Sequence, residues 1–315
     1  MTSRSCLALV SSNLAKVLSG RANVKLRNQV QLSGAFSASC QSCSRPYSTA
    51  DQSRSLTGKT ALVTGATSGI GLGVARALAS KGCSVVITGL GDQQLIDSIK
   101  GDIQKDFNSR AEYIPADFTK AEELEELCKT AGKLFPEGID ILFNNAGFQF
   151  VSPIEDFPTE KWDGLIAVML SAPYHLIKNL VGPMKKKGYG RIINLSSVHG
   201  LRASPNKCGY VSAKHGIVGL TKVVALESAG TGVTCNAICP GYVDTPILQM
   251  QVRTLAEERK LSYDEAKGEF LAKFHPSKEP IGIDHIGDMC IFLCSEAGGQ
   301  MTGSSIVMDG GWTAK

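Results

Sequence analysis

From Gly58 onward, short runs of apolar and β-branched residues alternate with longer stretches whose apolar positions recur every three or four residues. Seven of the short runs read as strands: Thr60–Thr64 (TALVT), Ser84–Thr88 (SVVIT), 111–115, 139–144 (IDILFN), Gly190–Leu195 (GRIINL), 233–238 and 304–308. The spacing between them predicts helices over 71–81, 93–106, 120–134, 159–186, 209–229, 250–274 and 283–294. Strands that are apolar on both sides, each followed by a helix, imply a parallel sheet covered on both faces. The expected fold is α/β: one doubly wound, Rossmann-like domain with a seven-stranded parallel sheet, spanning residues 51–315. Ligands of such folds bind at the carboxyl ends of the strands. Residues 246–280 interrupt the alternation after the sixth strand and are expected to form a helical lid over the substrate.

Composition changes the picture mainly at the N-terminus. The chain has 315 residues, 43% of them hydrophobic, enough to bury a large core. No run suggests a membrane span. Of the net charge of +4, residues 1–50 contribute six positive charges (Arg4, Lys16, Arg21, Lys25, Arg27, Arg45) and no acid, which leaves the rest at −2. A mildly acidic body gives no electrostatic case for nucleic-acid binding. The Ser- and Arg-rich, acid-free leader has a weakly amphipathic start (Leu7, Leu9, Val10, Leu14, Val17, Leu18), the composition of a mitochondrial transit peptide. Arg45-Pro46-Tyr47-Ser48 resembles a matrix-peptidase site cleaved after Tyr47. The expected location is therefore the mitochondrial matrix; a plain tail on a cytoplasmic protein is the alternative. Of the ten cysteines, Cys40 and Cys43 form a C-x-x-C that is discounted as a zinc site because it lies in the leader, and Cys235/Cys239 and Cys290/Cys294 have no histidine at ligand spacing. Reduced thiols and no metal are expected.

Chemistry concentrates at two places. The first is Thr64-Gly65-Ala66-Thr67-Ser68-Gly69-Ile70-Gly71, between the first strand and the first helix. Glycines there let the backbone approach a ligand, and the helix N-terminus offers free N–H groups to a pyrophosphate. The end of the second strand, Thr88-Gly89-Leu90-Gly91-Asp92, carries no base to hold a 2′-phosphate, and no acid stands at Gly89. The missing positive charge favours NAD over NADP. Asp117 offers an acceptor for the adenine amine, or is an ordinary carboxylate near a helix start. The second place is Ser197, at the end of the fifth strand, followed thirteen residues later by Tyr210 and four further on by Lys214. At i and i+4 the last two share one helix face.

Taken with Asn144-Asn145-Ala146-Gly147 after the fourth strand, these motifs resemble the short-chain dehydrogenase/reductase family over residues 57–315. The resemblance implies a nicotinamide-dependent oxidoreductase with Tyr210 as general acid/base. Lys214 would lower the tyrosine pKa and bind the nicotinamide ribose, and Ser197 would hold the substrate oxygen. It assigns Gly65, Thr67, Ser68, Gly69, Ile70, Leu90, Asp117, Phe118, Asn145, Ala146, Gly147, Tyr210, Lys214, Pro240, Gly241, Val243 and Thr245 to the cofactor. The family usually forms tetramers, so a homotetramer is expected. One position departs from the pattern: Met169 stands where the family often has an asparagine that supports a proton-relay water.

Within the family, Ser197 through Leu201, Lys207 through Gly216, Cys235 through Gly241 and Val307 through Trp312 are similar to a bacterial group acting on D-3-hydroxybutyrate. In that group a small carboxylate is clasped by residues that fall here on Gln149, His199, Lys207, Gln251 and Trp312, beside Ser197 and Tyr210. Lys207 would supply charge, His199 and the glutamines hydrogen bonds, and Trp312 an apolar wall. Singly, Lys207 reads as a solvated charge, His199 as a loop histidine and Trp312 as a packing residue. The resemblance implies oxidation of (R)-3-hydroxybutyrate to acetoacetate. The alternatives are another dehydrogenase of the family, acting on 3-oxoacyl, steroid or sugar-alcohol substrates, or an NAD-binding protein with weak catalysis.

Overall fold

The structure is a computed structural model that describes residues 55–314; the expected leader lies outside the described residues. Its elements run β1 (Thr60–Thr64), α1 (Gly69–Ala79), β2 (Ser84–Thr88), α2 (Gln93–Phe107), β3 (Ala111–Tyr113), α3 (Ala121–Leu134), β4 (Ile141–Asn144), α4 (Thr159–Ile166), α5 (Ala172–Lys187), β5 (Gly190–Leu195), α6 (Cys208–Ser228), β6 (Val233–Pro240), α7 (Pro246–Arg259), α8 (Tyr263–Ala272), α9 (Ile283–Cys294) and β7 (Ser305–Met308). The seven strands form one sheet in the order β3-β2-β1-β4-β5-β6-β7, and every pairing is parallel.

Side chains that alternate across each strand divide the core into two layers. Val63, Ile87, Phe143 and Ile193 face α1 and α9, packing with Val74, Leu78, Ile286 and Ile291. Their neighbours Leu62, Val86, Leu142 and Ile192 face the other way, against Leu124 and Leu127 of α3, Leu176 and Leu180 of α5, and Val224 of α6. Near-continuous apolar strands are the sequence form of this two-sided burial.

A buried charge closes the sheet's amino-terminal edge. Asp140, fully buried, accepts from the Thr60 N–H at 2.9 Å and pairs with Lys187 at 2.6 Å and Lys59 at 3.6 Å. A polar chain also crosses the sheet: Asn144 donates to Asn194 (2.8 Å), and Asn194 donates to Thr221 on α6 (2.9 Å).

Three differences from the sequence reading have physical causes. The first helix begins at Gly69 rather than residue 71, because Leu72 N–H already bonds to Ser68 O. The span 250–274 is two helices: Lys260 turns left-handed (φ 55°), and Ser262 and Glu265 form a capping box that starts a new one. The long fourth helix is interrupted by a π-helical turn over Ala167–Ser171. Thr159–Lys187 as a whole is long and apolar enough to cross a membrane by length and composition. Here Leu165, Leu176, Ile177, Leu180 and Met184 sit in the protein core.

Candidate active site

The sheet reverses its winding between β1 and β4, and the glycine turn and Asn144–Gly147 meet at that point. Thr64 Oγ1 accepts from the Asn145 and Ala146 N–H groups at 2.8 and 3.0 Å. The Asn145 side chain donates to Thr64 O (2.8 Å) and Gly65 O (3.1 Å). A Cβ on Gly65 (φ +61°) would lie 2.8 Å from that amide nitrogen, and one on Gly71 would collide with Gly65 O. Only glycine fits these two positions, and the first turn of α1 is left open with Ser68 as its exposed N-cap. Ile70 packs against the core behind it. Thr67 donates to Leu90 O at 2.6 Å and so ties the turn to the end of β2.

The residues present fit a dinucleotide. Leu90 stands 93% exposed beside this turn, an apolar side chain that an adenine ring would cover. Asp117 is also exposed, but its Oδ1 already accepts from Thr119 N–H and Oγ1, and those bonds hold its pKa down. Phe118 instead packs into the core layer beneath. At the opposite end, Gly241 N–H bonds to Met308 O, Val243 is buried, and Thr245 caps α7 by accepting from Leu248 N–H.

The catalytic candidates converge at the carboxyl end of β5. Ser197 is buried there, and its Oγ accepts from His199 N–H at 3.1 Å. Helix α6 brings Tyr210 and Lys214 to one face, with Lys214 Nζ 5.6 Å from the Tyr210 ring centre. Burial raises the Tyr210 pKa, and a hydrogen bond with Ser197 partly opposes this. Lys214 itself is anchored to the main chain. Its ammonium is held by Leu195 O at 2.6 Å, and burial lowers its own pKa to about 8.

Three residues of the expected carboxylate clasp lie together, beside Tyr210. Lys207 Nζ is 3.4 Å from His199 Nε2. The His199 ring makes edge contacts with Tyr210 (6.0 Å between centres) and Trp312 (5.6 Å). Burial first, and Lys207 second, push the His199 pKa down to about 4, so the imidazole is neutral at pH 7. Burial also lowers the Lys207 pKa. Gln149, on the loop after β4, and Gln251, on α7, are exposed and make no hydrogen bond to this group. Met169 lies in the π-helical turn, 2% exposed, packed with Leu165 and Ala213 and bordered by Tyr210. It leans over Gly147, where an added Cβ would come within 2.9 Å of its sulfur.

No cluster of three or more metal-ligating side chains occurs among the described residues, and the seven cysteines there are free thiols. Sequence reasoning missed Thr64, whose single hydroxyl fixes two backbone amides of the cofactor end. It also missed His275, a buried residue just beyond α8. A threonine ending a buried strand just before a glycine turn was the available signal for the first.

A family model described as short chain dehydrogenase matches residues 59–256. The chain belongs to the short-chain dehydrogenase family. It is an oxidoreductase with the family's nicotinamide-binding fold. It is 49% identical over 261 residues to a D-beta-hydroxybutyrate dehydrogenase of Cupriavidus necator, covering 82% of this chain and 100% of that protein. A protein of the same name from Rhizobium meliloti is 46% identical over 257 residues, covering 82% and 99%. Among solved structures, L-sorbose reductase from Gluconobacter frateurii, complexed with NADPH and L-sorbose, superposes with a TM-score of 0.79 at 25% identity, covering 84% of this chain and 99% of that one.

Proposed function

We propose that this family member is an NAD-linked dehydrogenase that interconverts (R)-3-hydroxybutyrate and acetoacetate. The contact of the Lys207–His199 pair with both Tyr210 and Trp312 carries the reading: it sets a cation and an apolar wall beside the proton-transfer group. Names of relatives nearly half identical over their whole length support it. The absence of any base between Ser84 and Asp92 supports NAD.

A bound oxidised nicotinamide would supply the hydride acceptor for C3 of the alcohol. Ser197 holds the C3 oxygen, and Tyr210 Oη takes the hydroxyl proton as the carbonyl forms; in the reverse direction Tyr210 returns it. Burial keeps that phenol protonated, which suits acetoacetate reduction. Alcohol oxidation needs the phenolate, which the charge of Lys214 and of an oxidised nicotinamide would stabilise. Lys207, with neutral His199 donating or accepting beside it, clasps the carboxylate two carbons away. Trp312 limits chain length. Gln149 and Gln251 are exposed at the rim, and they would complete the clasp if the α7–α8 segment closes as a lid over bound substrate. The acid-free leader supports import into the mitochondrial matrix, and the family's habit supports a homotetramer.

The test is acetoacetate-dependent oxidation of NADH by protein starting at Ser48, beside Tyr210→Phe and Lys207→Ala. The expected result is activity in the parent, a loss of at least about 100-fold in Tyr210→Phe, and a KM increase in Lys207→Ala. Full activity of the Lys207 variant removes the clasp. Turnover of long acyl substrates without acetoacetate turnover reassigns the substrate, and turnover with NADPH in preference to NADH reassigns the cofactor.

A further inference from the structure

His275 lies just beyond α8, outside the residues assigned above, and its side chain is completely buried. Its Nε2 accepts a hydrogen bond from the Tyr242 N–H at 2.8 Å. Because a backbone amide can only donate, that nitrogen carries no proton. The proton is therefore on Nδ1, which donates to Glu279 O at 3.0 Å. Both ring nitrogens are satisfied in one neutral tautomer. Glycines shape the socket: a Cβ on Gly241 would collide with Nε2, and one on Gly310 (φ +58°) would come within 3.1 Å of Nδ1.

The ring joins three segments that are distant in sequence. Through Tyr242 it holds the end of β6. Through its own chain it holds the end of α8, where His275 N–H bonds to Leu271 O at 2.7 Å. Two residues later, Ser277 N–H bonds to Gly310 O at 3.0 Å in the turn that carries Trp312. The two residues that His275 fixes most directly are the ones that hold that tryptophan. Phe274, its chain neighbour, stacks on Trp312 at 4.6 Å, and Tyr242, its hydrogen-bond partner, stacks at 5.3 Å. Trp312 in turn meets His199 at 5.6 Å.

We infer that His275 is a positioning residue: it pins the two aromatic rings that set the angle and depth of Trp312, and so fixes the substrate wall and its discrimination between short and long 3-oxo acids. The inference about discrimination rests on the proposed function; the pinning of Trp312 does not. The imidazole does this by holding one acceptor and one donor on opposite sides of a rigid ring, both aimed at main-chain groups of different segments. An apolar residue in the same socket would fill the space and lose the Tyr242 tie.

Two polar variants separate positioning from bulk packing. His275→Gln can present an oxygen near the place of Nε2 and keep the Tyr242 N–H bonded. His275→Asn keeps an amide near the place of Nδ1 but is too short to reach Tyr242. Each is made in a Trp162→Phe background, where Trp312 is the only tryptophan left. In His275→Asn the emission of Trp312 should shift to the red. KM for acetoacetate should rise about tenfold, the effect of one lost hydrogen bond, with kcat within about threefold of the parent. The preference for acetoacetate over 3-oxohexanoate should shrink. His275→Gln should stay close to the parent in all three. If both variants lose thermal stability to the same degree while emission, KM and chain-length preference stay at parent values, His275 is only a packing residue and the inference is overturned. If the parent turns over no acetoacetate, the proposed function falls, and the emission spectra decide the pinning alone: a red shift confined to His275→Asn sustains it, and coincident spectra overturn it.

Discussion

Replacing Met169 with asparagine, the residue the family often carries there, is expected to weaken the protein without speeding it. Met169 is 2% exposed, and its neighbours Leu165, Ala213, Ile166 and Val168 are apolar. Losing a buried methionine forfeits about 1.5–3 kcal/mol of apolar burial. An amide placed among such neighbours costs roughly another 1–3 kcal/mol unless it finds a partner. The two side chains have equal numbers of heavy atoms, so no large cavity adds to this. The sum is about 2.5–6 kcal/mol, which in a domain of this size lowers Tm by about 5–24 °C. Differential scanning fluorimetry reads the stability, and initial rates of NADH oxidation with saturating acetoacetate read the turnover. Met169→Ala is the control: it creates a cavity costing about 2–5 kcal/mol without adding a polar group. A Met169→Asn protein as stable as its parent, with kcat raised tenfold or more, would refute the reasoning. It would mean that the pocket around Tyr210 is wet and that methionine was blocking a proton path.

Other expectations follow from separate features. Asp140→Ala removes the acceptor of the Thr60 N–H and the partner of two lysines, and should cost about 2–4 kcal/mol, read as a fall in urea midpoint at unchanged NADH affinity. Thr67→Val cuts the 2.6 Å tie between the glycine turn and Leu90 O; a bond worth about 0.5–1.5 kcal/mol should raise the NADH Kd about 2–13-fold, measured by fluorescence titration, and an unchanged Kd would show the tie to be idle. The folded-state pKa of His199, about 4, lies below the ordinary value of 6.5. The unfolded chain therefore binds a proton between those values that the folded one refuses, and stability falls as pH drops from 6.5 toward 4. For this nearly buried ring the loss is about 2–3 kcal/mol; His199→Gln should flatten the difference between urea midpoints at pH 7 and pH 4.5, and an identical slope in both proteins counts against a buried neutral His199.

Much of the fold was legible because burial on both faces leaves a local mark. The runs at Gly190–Leu195 and 283–294 coincide with β5 and α9 because their ends are set by turn chemistry beside them. The π-helical turn at Ala167–Ser171 was not legible: its residues have ordinary helical character, and the extra residue is accommodated by tertiary packing. The break at Lys260 was missed even though Ser262 and Glu265 carry the capping pattern, since charged residues on either side continue the same apparent helix. At the site, Ser197, Tyr210 and Lys214 share local spacing and could be found from it. His199, Lys207 and Trp312 were reached only through resemblance, and their contact depends on the sheet bringing β5, α6 and the segment after β7 to one corner. His275 carried no signal, because a histidine in a charged stretch looks solvated until the fold buries it.

The π-helical turn also bears on how this chain tolerates changes in length. An α-helix advances about 100° per residue, so a π-helical turn is one surplus residue absorbed into an otherwise regular rod. Deleting a single residue within Ala167–Ser171 would let the hydrogen bonds relax into a plain helix, and the element could survive. What would change is phase: Trp162 and Leu165 would rotate by about 100° relative to Leu176 and Leu180. The face of α4 that closes over Tyr210 would then turn toward solvent while the sheet kept its cover. One-residue deletions along this helix should therefore sort into two kinds: those inside the π-helical turn that fold but do not turn over substrate, and those in α5 that do not fold.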